Sequence, residues 1–310
     1  TSREAFIGAN NLLLAAAAGV VLVGTLYPLL LDVTGGAAVS VGPPYFNAAA
    51  TPLMVAALAL MPLAPFLPWA NGGAKPGLKQ MRAAIMLLPV AVAGGVFIWF
   101  GASTLAVVGG ALGVWAIAGA ISDASRALPA AKSNAVRAAS AGRAIAHAGV
   151  GFIALGAAAD ASRPPEQSAS MGPGETISVA GRELTLQSIR RADGPNYLAD
   201  RATLSVQGAS SGQIAPERRY YPGADQHTRE VALKSRVSGD LYVSIGEPRP
   251  RPDGTMGYEI RAAFHPLIWA LMLGATMIVL GGALALGGRI AAGRVLKRRE
   301  PMPGQPEPAE

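Results

Sequence analysis

The sequence contains no cysteine, and this absence excludes several kinds of site. Disulfide bonds, thiolate metal sites and cysteine nucleophiles all need a thiol, so this chain cannot form them. Charge is also scarce, because only 15% of the residues are charged while 51% are hydrophobic. With several long uncharged runs, this composition is typical of polytopic membrane proteins and not of soluble globular ones.

The common catalytic motifs are missing as well. The chain has no His-Glu-x-x-His, no phosphate-binding Walker loop, no Gly-x-Ser-x-Gly and no pair of histidines at i and i+4. The glycine pairs at 109–110 and 281–282 lie inside apolar runs, where they predict close helix packing. No catalytic residue is assigned from the sequence. Since the chain opens Thr-Ser-Arg without a signal-peptide pattern, we expect it to be a piece of a longer polypeptide.

Six apolar runs predict six membrane-spanning helices, because about 20 residues of helix cross a bilayer. The runs are residues 11–31, 51–69, 83–100, 103–121, 142–161 and 266–286. Four prolines in the second run predict a kink or a break toward its end. The segment 41–47 contains Pro43 and Pro44, and we interpret it as a stiff turn and not as helix.

The net charge of +7 is explained by topology and does not indicate nucleic-acid binding. The segments 75–82 and 126–143 hold three and four Lys or Arg, whereas the loops 32–47 and 101–102 hold none. The positive-inside rule therefore places the basic loops in the cytoplasm and the end of the fifth helix outside. An even number of helices puts both chain ends in the cytoplasm, in agreement with the basic segment 289–299.

Between residues 162 and 263 the composition changes, and no span-length apolar run occurs. Short alternating stretches bounded by turn residues predict antiparallel strands at 176–180, 183–189, 201–206, 229–233, 240–245 and 258–262. The predicted fold is a polytopic α-helical membrane protein with six transmembrane helices and a β-rich periplasmic domain before the last helix. Its parts are a five-helix membrane bundle at 1–161, the β-rich domain at 162–263, the last helix at 264–288 and a basic, then disordered, cytoplasmic tail at 289–310.

His147 is the only histidine inside an apolar run. Ionisable residues inside membrane helices are costly and mark functional sites, and histidine is a common axial ligand of haem iron. From position alone two interpretations stay open, a metal ligand or a polar residue at headgroup level. Arg143 lies four residues earlier on the same helix face. It would contact a propionate if His147 binds haem, and otherwise it anchors the helix at the headgroups.

The other two histidines give weaker indications. His227 falls in a polar segment of the predicted exported domain, which we interpret as a solvated loop. His265 precedes Pro266, and proline suits the first turn of a helix. We therefore expect His265 to flank the last helix as a polar residue at the membrane interface.

Several short segments occur in the order of a known family. They are SRE at 2–4 with NNLLL at 10–14, GTLYPL at 24–29, VGPPYFN at 41–47, HAGV at 147–150, RYYP at 219–222 and GDLYV at 239–243. Together they resemble the C-terminal half of the CcmF family, the cytochrome c-type haem lyase subunits of bacterial cytochrome c maturation. The resemblance covers nearly the whole chain, and its motifs are specific as an ordered set.

The resemblance implies a multi-pass protein of the bacterial inner membrane that acts in cytochrome c-type biogenesis. As part of the full-length haem lyase, the chain would help to attach haem covalently to the CxxCH motifs of exported apocytochromes c. The implied partners are the haem chaperone CcmE, CcmH-type thiol-handling subunits and apocytochrome c, with no nucleic acid. The related branch that matures nitrite reductase is equally compatible with these segments.

The resemblance also implies a cofactor, haem b, with His147 as an axial ligand of the haem iron and Arg143 as a propionate contact. In the family the second axial ligand, a tryptophan-rich segment and two exported histidines lie upstream of the matching half. We therefore expect this chain alone to be inactive. Two alternatives are a membrane transporter of haem or another small solute, and a non-catalytic assembly subunit.

Overall fold

A computed structural model describes residues 3–37, 39–64, 83–99, 101–251 and 254–299. The described helices are α1 (Arg3–Val33), α2 (Pro43–Ala49), α3 (Thr51–Leu60), α4 (Ala83–Trp99), α5 (Thr104–Ala127), α6 (Asn134–Ala161) and α7 (Ile268–Arg299). Within the described ranges, four helices are long and apolar enough to cross a membrane: α1, α5, α6 and α7 as far as Gly293. The chain therefore has the helices of a membrane protein.

The two remaining predicted spans are shorter apolar helices over the part that the structure describes. Helix α3 ends at Leu60, where the prolines of this run predict a break. The apolar part of α4 covers Val90–Trp99. The end of the second predicted span at 65–69, the basic loop 75–82, Phe100 and the tail 300–310 lie outside the described residues.

The prediction of a stiff turn at 41–47 is wrong, because helix α2 begins at Pro43. A proline in the first turn of a helix loses no hydrogen bond, since the N–H groups there have no partner within the helix. The Tyr45 hydroxyl donates to the carbonyl oxygen of Val20 at 3.1 Å and so holds α2 against α1. Gly24 on α1 leaves space for the rings of Tyr45 and Phe46. A Cβ added at this glycine would lie only 3.1 Å from the Phe46 ring.

The predicted basic loop at 126–143 is mostly helical. Helix α5 begins after Ser103, whose hydroxyl accepts from the Ala106 N–H at 3.3 Å, and it continues past the end of the apolar run to Ala127. Helix α6 begins at Asn134. The apolar runs locate only the apolar part of each helix. Both helices extend beyond these runs into segments that contain charged residues.

Glycines on α6 bring its backbone close to both α5 and α7. A Cβ added at Gly149 would lie 2.6 Å from the carbonyl oxygen of Gly274 on α7, and one added at Gly151 would lie 2.6 Å from that of Gly113 on α5. These distances are shorter than Cβ contacts in proteins, so only glycine fits. The predicted packing role of Gly281 is confirmed in the same way, because its Cβ would lie 2.6 Å from the carbonyl oxygen of Gly142.

The segment between α6 and α7 folds into two antiparallel sheets. The strands are β1 (Gln167–Met171), β2 (Thr176–Val179), β3 (Arg182–Arg191), β4 (Leu198–Gly208), β5 (Gly212–Ile214), β6 (Glu217–Tyr221), β7 (Gln226–Glu230), β8 (Ala232–Arg236), β9 (Gly239–Pro250) and β10 (Met256–Pro266). One sheet has the order β1-β10-β9-β8. The other has the order β2-β3-β4-β6-β7, with β5 paired to β4. The presence of a β-rich domain is thus confirmed.

The core of this β domain consists of large apolar side chains from both sheets. Six of its fully buried members are Leu184, Leu186, Leu204, Leu241, Ile245 and Ile260. In β3 and β9 these residues alternate along the strand, as the period of two requires when one face is covered. Alternation was therefore a sound signal for these strands.

Three details of the strand prediction are wrong. The stretch 229–233 is not one strand, because β7 ends at Glu230 in one sheet and β8 begins at Ala232 in the other. His227 lies on β7 and not in a loop. Pro266 does not begin the last helix, because it follows His265 in β10. Pro266 ends that strand, and α7 begins after Leu267, whose backbone has φ +51°.

Candidate functional site

His147 lies on α6 and lines a groove of about 270 Å³ between α6 and α7. The other lining residues are Arg143, Ala146, Gly282, Ala285, Leu286 and Arg289. The imidazole is partly buried, whereas Gly282 and Leu286 are exposed and leave the groove open on that side. A Cβ added at Gly282 would meet nothing within 4 Å, so this glycine keeps the groove wide and does not pack two helices together.

Arg143 shares the groove with His147 and forms an ion pair with Asp123 on α5. Its Nε and Nη2 donate to the Asp123 Oδ2 at 3.0 and 2.8 Å. The Asp123 side chain is only 7% exposed, and that of Arg143 is 28% exposed. Because a buried carboxylate needs a cation beside it, this pair fixes the position of the Arg143 guanidinium next to His147.

Sequence reasoning missed Asp123. The carboxylate follows the apolar run that ends at residue 121 and therefore lies outside the predicted helix. The available signal was the absence of Gly or Pro between residues 121 and 128, which lets α5 continue for another turn before Pro129. The pairing itself joins residues 20 positions apart and has no local sequence signature.

Basic residues outnumber acidic ones around this pair. Arg3 at the start of α1 lies within electrostatic range of Asp123, Arg143 and Arg126. The charges of Arg143 and Asp123 also act on His147. Glu4 also acts on Arg3, so three guanidinium groups face two carboxylates, and the surplus positive charge favours an anionic ligand beside the imidazole.

The side chains that line the groove have the chemistry that a haem would need. Its donors are an imidazole nitrogen, which suits iron, and two guanidinium groups, Arg143 and Arg289, which suit carboxylates. Within the described ranges, no group of three or more His, Asp or Glu is placed to hold a bare metal ion. His227 and His265 both belong to the β domain, so neither lines this groove. The groove therefore contains one imidazole and two guanidinium groups.

His265 forms a separate polar cluster at the edge of the β domain. Its Nδ1 lies 2.7 Å from the Asp160 Oδ1, and Arg163 donates to the other oxygen of Asp160 at 2.8 Å. Since Asp160 is in the last turn of α6 and His265 ends β10, the contact joins the two chain segments that lead into and out of the β domain. The prediction that His265 flanks the start of the last helix agrees with this position.

His227 packs against Tyr220 with ring centroids 4.8 Å apart, at the edge of a small cavity of about 200 Å³. Arg191 and Arg218 line the same cavity, but Asp200 lines it too and lies 3.7 Å from the Arg218 guanidinium. A second carboxylate, Glu247, lies 4.0 Å from that guanidinium. The positive charge of this cavity is therefore largely neutralised.

Glu217 on β6 is the centre of a charge network in the β domain. Arg201 Nε donates to its Oε1 at 2.6 Å and Arg219 Nε donates to its Oε2 at 2.9 Å. Burial alone would raise the pKa of the Glu217 carboxyl, but the hydrogen bonds from Arg219 and Arg201 outweigh burial and hold this pKa below its ordinary value. The network thus stabilises the ionised form of a buried acid.

Comparison with protein families identifies the β domain. Residues 164–266 match a family described as the CcmF C-terminal beta-sandwich. These limits enclose all ten strands, from β1 to β10.

Two curated relatives and one solved structure match nearly the whole chain. The cytochrome c-type biogenesis protein CcmF of Pseudomonas fluorescens is 32% identical over 92% of this chain and 43% of its own length. The cytochrome c-type biogenesis protein CycK of Bradyrhizobium diazoefficiens is 32% identical over 93% of this chain and 45% of its own length. A solved cytochrome c haem lyase CcmF is 23% identical with a TM-score of 0.73, over 92% of this chain and 46% of that one. The chain therefore spans less than half the length of these proteins, and it shares the fold of that structure.

Proposed function

The chain resembles the C-terminal half of CcmF, and on this basis we propose that it is part of a membrane haem lyase of cytochrome c biogenesis. In this function haem is joined covalently to the CxxCH motifs of exported apocytochromes c. The sulfur of each cysteine thiol bonds to one carbon of a haem vinyl group and the thiol hydrogen is taken up by the other carbon, so the addition needs no net oxidant. The names of the relatives support the pathway, and the groove at His147 supports a role for haem in this chain.

The observation that carries the proposal is the position of His147 in the groove between α6 and α7. We assign it as an axial ligand of a resident haem b, which supplies one-electron redox chemistry when bound. Backbone contact at Gly149 and Gly151 fixes α6 between its neighbours and so orients the imidazole. The second axial ligand is expected from a part of the protein that precedes this chain.

Arg143 and Arg289 are the proposed partners of the two haem propionates. Both guanidinium groups line the groove, and Asp123 already holds one edge of Arg143. Asp123 is thus a positioning residue that leaves the remaining N–H groups of Arg143 for a second carboxylate. The surplus positive charge beside the imidazole stabilises the more negative, reduced state of a bound haem.

The proposed topology has six membrane-spanning helices with the β domain in the periplasm. Four helices have the required length, and α3 and α4 are the apolar helices that would complete the remaining two spans. The cluster of Arg3, Arg126 and Arg143 then marks the cytoplasmic end of the bundle, as the positive-inside rule requires. The β domain would face the compartment in which exported apocytochromes arrive, and CcmE and CcmH-type subunits are its proposed partners.

The deciding experiment is a reduced-minus-oxidised absorption spectrum of the protein purified at its natural length. We expect a b-type signal in the wild type and its loss in His147→Ala, because the imidazole provides an iron ligand. His227→Ala and His265→Ala are the matched controls and should keep the full signal, since both lie in the β domain.

A His147→Ala variant that retains the full signal would place the haem ligand elsewhere and leave His147 as an interfacial polar residue. A wild type without any b-type signal would favour an assembly subunit that binds no haem of its own. Arg289→Gln sharpens the assignment of the propionates. We expect it to lower the midpoint potential of the bound haem, whereas a change at the exposed Arg236 should not.

A further inference from the structure

The hairpin between β8 and β9 is attached to the first turn of helix α7. Arg236 pairs with Gly239 across the hairpin, which leaves Val237 and Ser238 as a two-residue turn. The indole Nε1 of Trp269 donates to the carbonyl oxygen of Val237 at 2.8 Å. The Leu267 N–H donates to the carbonyl oxygen of Ser238 at 3.4 Å. Both carbonyls of the turn are therefore satisfied by the residues that begin α7.

The depth of this turn relative to the membrane follows from the length and position of helix α7. The apolar helix Ile268–Gly293 is long enough to cross a bilayer, so its first turn lies at the membrane interface. Tryptophan is enriched at that level because its ring is apolar and its N–H is polar. Since a hydrogen bond joins Trp269 to Val237, the tip of the hairpin must lie at the same level.

The side chains of the turn suit a lipid environment. Val237 is 84% exposed, so its apolar side chain is free to enter lipid, and its own carbonyl already has a partner. Backbone groups in the hydrocarbon region need such partners within the protein, so the satisfied carbonyls of this turn lower the cost of approaching that region. Arg236 is exposed one residue before the tip and provides a cation where lipid phosphates lie.

We propose that the β8–β9 turn, with Val237 at its tip, rests in the lipid headgroup layer of the leaflet in which α7 begins. The partner is the bilayer surface, with phosphates beside Arg236 and the upper acyl chains beside Val237. This inference does not depend on haem binding.

The absence of cysteine makes the test direct, because a single introduced thiol can be labelled selectively. The test position is Val237→Cys and the matched control is Met256→Cys, an apolar residue that is 54% exposed. Met256 pairs with Pro250 at the opposite end of the β9–β10 hairpin from the Gly239–Pro266 pair. It therefore lies about 35 Å away along the strands.

Both variants are labelled with bimane and reconstituted into phosphatidylcholine nanodiscs, with or without a lipid that carries a nitroxide on its headgroup. We expect the label at position 237 to lose about half of its emission to the nitroxide lipid, because interfacial groups lie within about 5–10 Å of the headgroup boundary. The label at position 256 should be unaffected by that lipid and quenched by aqueous iodide.

Equal lipid quenching at the two positions would overturn the proposal. Strong iodide quenching at position 237 without lipid quenching would place the tip in water and overturn it as well. Protection from both quenchers would show that protein covers the turn, either a second copy or another segment, and would equally overturn a lipid contact. Selective lipid quenching at position 237 supports the proposal whether or not the same preparation shows a haem spectrum.

Discussion

The membrane bundle and the β domain bury opposite kinds of side chain. In the β domain the fully buried residues include Leu204, Leu241 and Ile260. In the bundle the described buried apolar residues are alanines, such as Ala116 and Ala144. Many of its large apolar residues are exposed, among them Leu22, Leu29, Met272, Val279 and Leu284.

This difference shows which solvent each region is built for. Water drives large apolar side chains into a core, because burial removes their surface from water. Lipid provides no such drive, so helices in a bilayer associate through close packing of small residues and through polar contacts. The bundle has both, in the glycine contacts of α6 and in the Asp123–Arg143 pair. The type of side chain that is buried therefore indicates whether a region is surrounded by water or by lipid, and this indication does not depend on a hydropathy scale.

The strongest test of this comparison is a truncation in the β core. Leu241→Ala should destabilise the β domain by about 3–4 kcal/mol, because it removes a fully buried side chain and leaves a cavity. Hydrogen exchange of β9 peptides, followed by mass spectrometry, measures the change. Leu233→Ala is the control, since Leu233 is 61% exposed and its loss should have little effect. Similar losses for the two variants would contradict a water-driven core.

In the bundle the largest loss is expected from the ion pair. Asp123→Ala should cost about 2–3 kcal/mol, because it leaves the partly buried Arg143 without its carboxylate. Adding Arg143→Leu to this variant should recover most of the loss, because no unpaired charge then remains. Thermal unfolding in detergent, followed by circular dichroism, compares the two. If the double variant were less stable than Asp123→Ala, the pair would not be the source of the effect.

Adding a single methyl group tests the glycine packing. Gly149→Ala should destabilise the bundle by about 1–2 kcal/mol, because the new Cβ would lie 2.6 Å from the carbonyl oxygen of Gly274. Gly287→Ala is the matched control on α7, because a Cβ there would meet nothing within 4 Å. The same unfolding assay should show it unchanged or slightly more stable, since alanine favours helix over glycine. Equal destabilisation by the two variants would remove close packing as the cause.

The smallest expected effect is a pH dependence confined to the β domain. Because the pKa of Glu217 is lowered in the folded protein, its contribution to stability is present above the ordinary pKa of a glutamate. That contribution is lost as the pH falls through the lowered folded value. Glu217→Gln should cost about 1 kcal/mol at neutral pH and flatten the loss of β-domain stability below about pH 4. Hydrogen exchange of β6 peptides at two pH values provides the measurement, and an unchanged slope would contradict the assignment.

The features predicted correctly are those with a local physical signature. Alternation located β3 and β9, and the prolines of the second apolar run indicated the break after Leu60. The prediction of one strand at 229–233 was wrong because the alternating pattern continues from β7 into β8. The chain passes from one sheet to the other between Glu230 and Ala232. The prediction of a turn at Pro43 was wrong for another reason. Proline occurs both where helices end and where they begin, and the local sequence does not distinguish these two cases.

The candidate site was predictable only in part. His147 and Arg143 share a helix face because four residues make slightly more than one turn, and both line the groove. Asp123 and Arg289 come from other helices, and their approach depends on how α5, α6 and α7 pack. Tertiary packing of this kind leaves no periodic signal in one sequence, so these residues emerged only from the structure.

The glycines of α6 and α7 also limit how these helices can move. Gly142, Gly149 and Gly156 recur every seven residues along α6, and Gly274, Gly281 and Gly288 do the same along α7. The glycines of each row lie against the backbone of the opposite helix. If one helix slid along the other by one turn, about 5.4 Å, larger side chains would meet the opposite backbone. Only a shift of about 10.5 Å, which is seven residues, would place glycines at the contacts again. Small movements of α6 along its own axis are therefore blocked, and His147 keeps a fixed depth in the bundle.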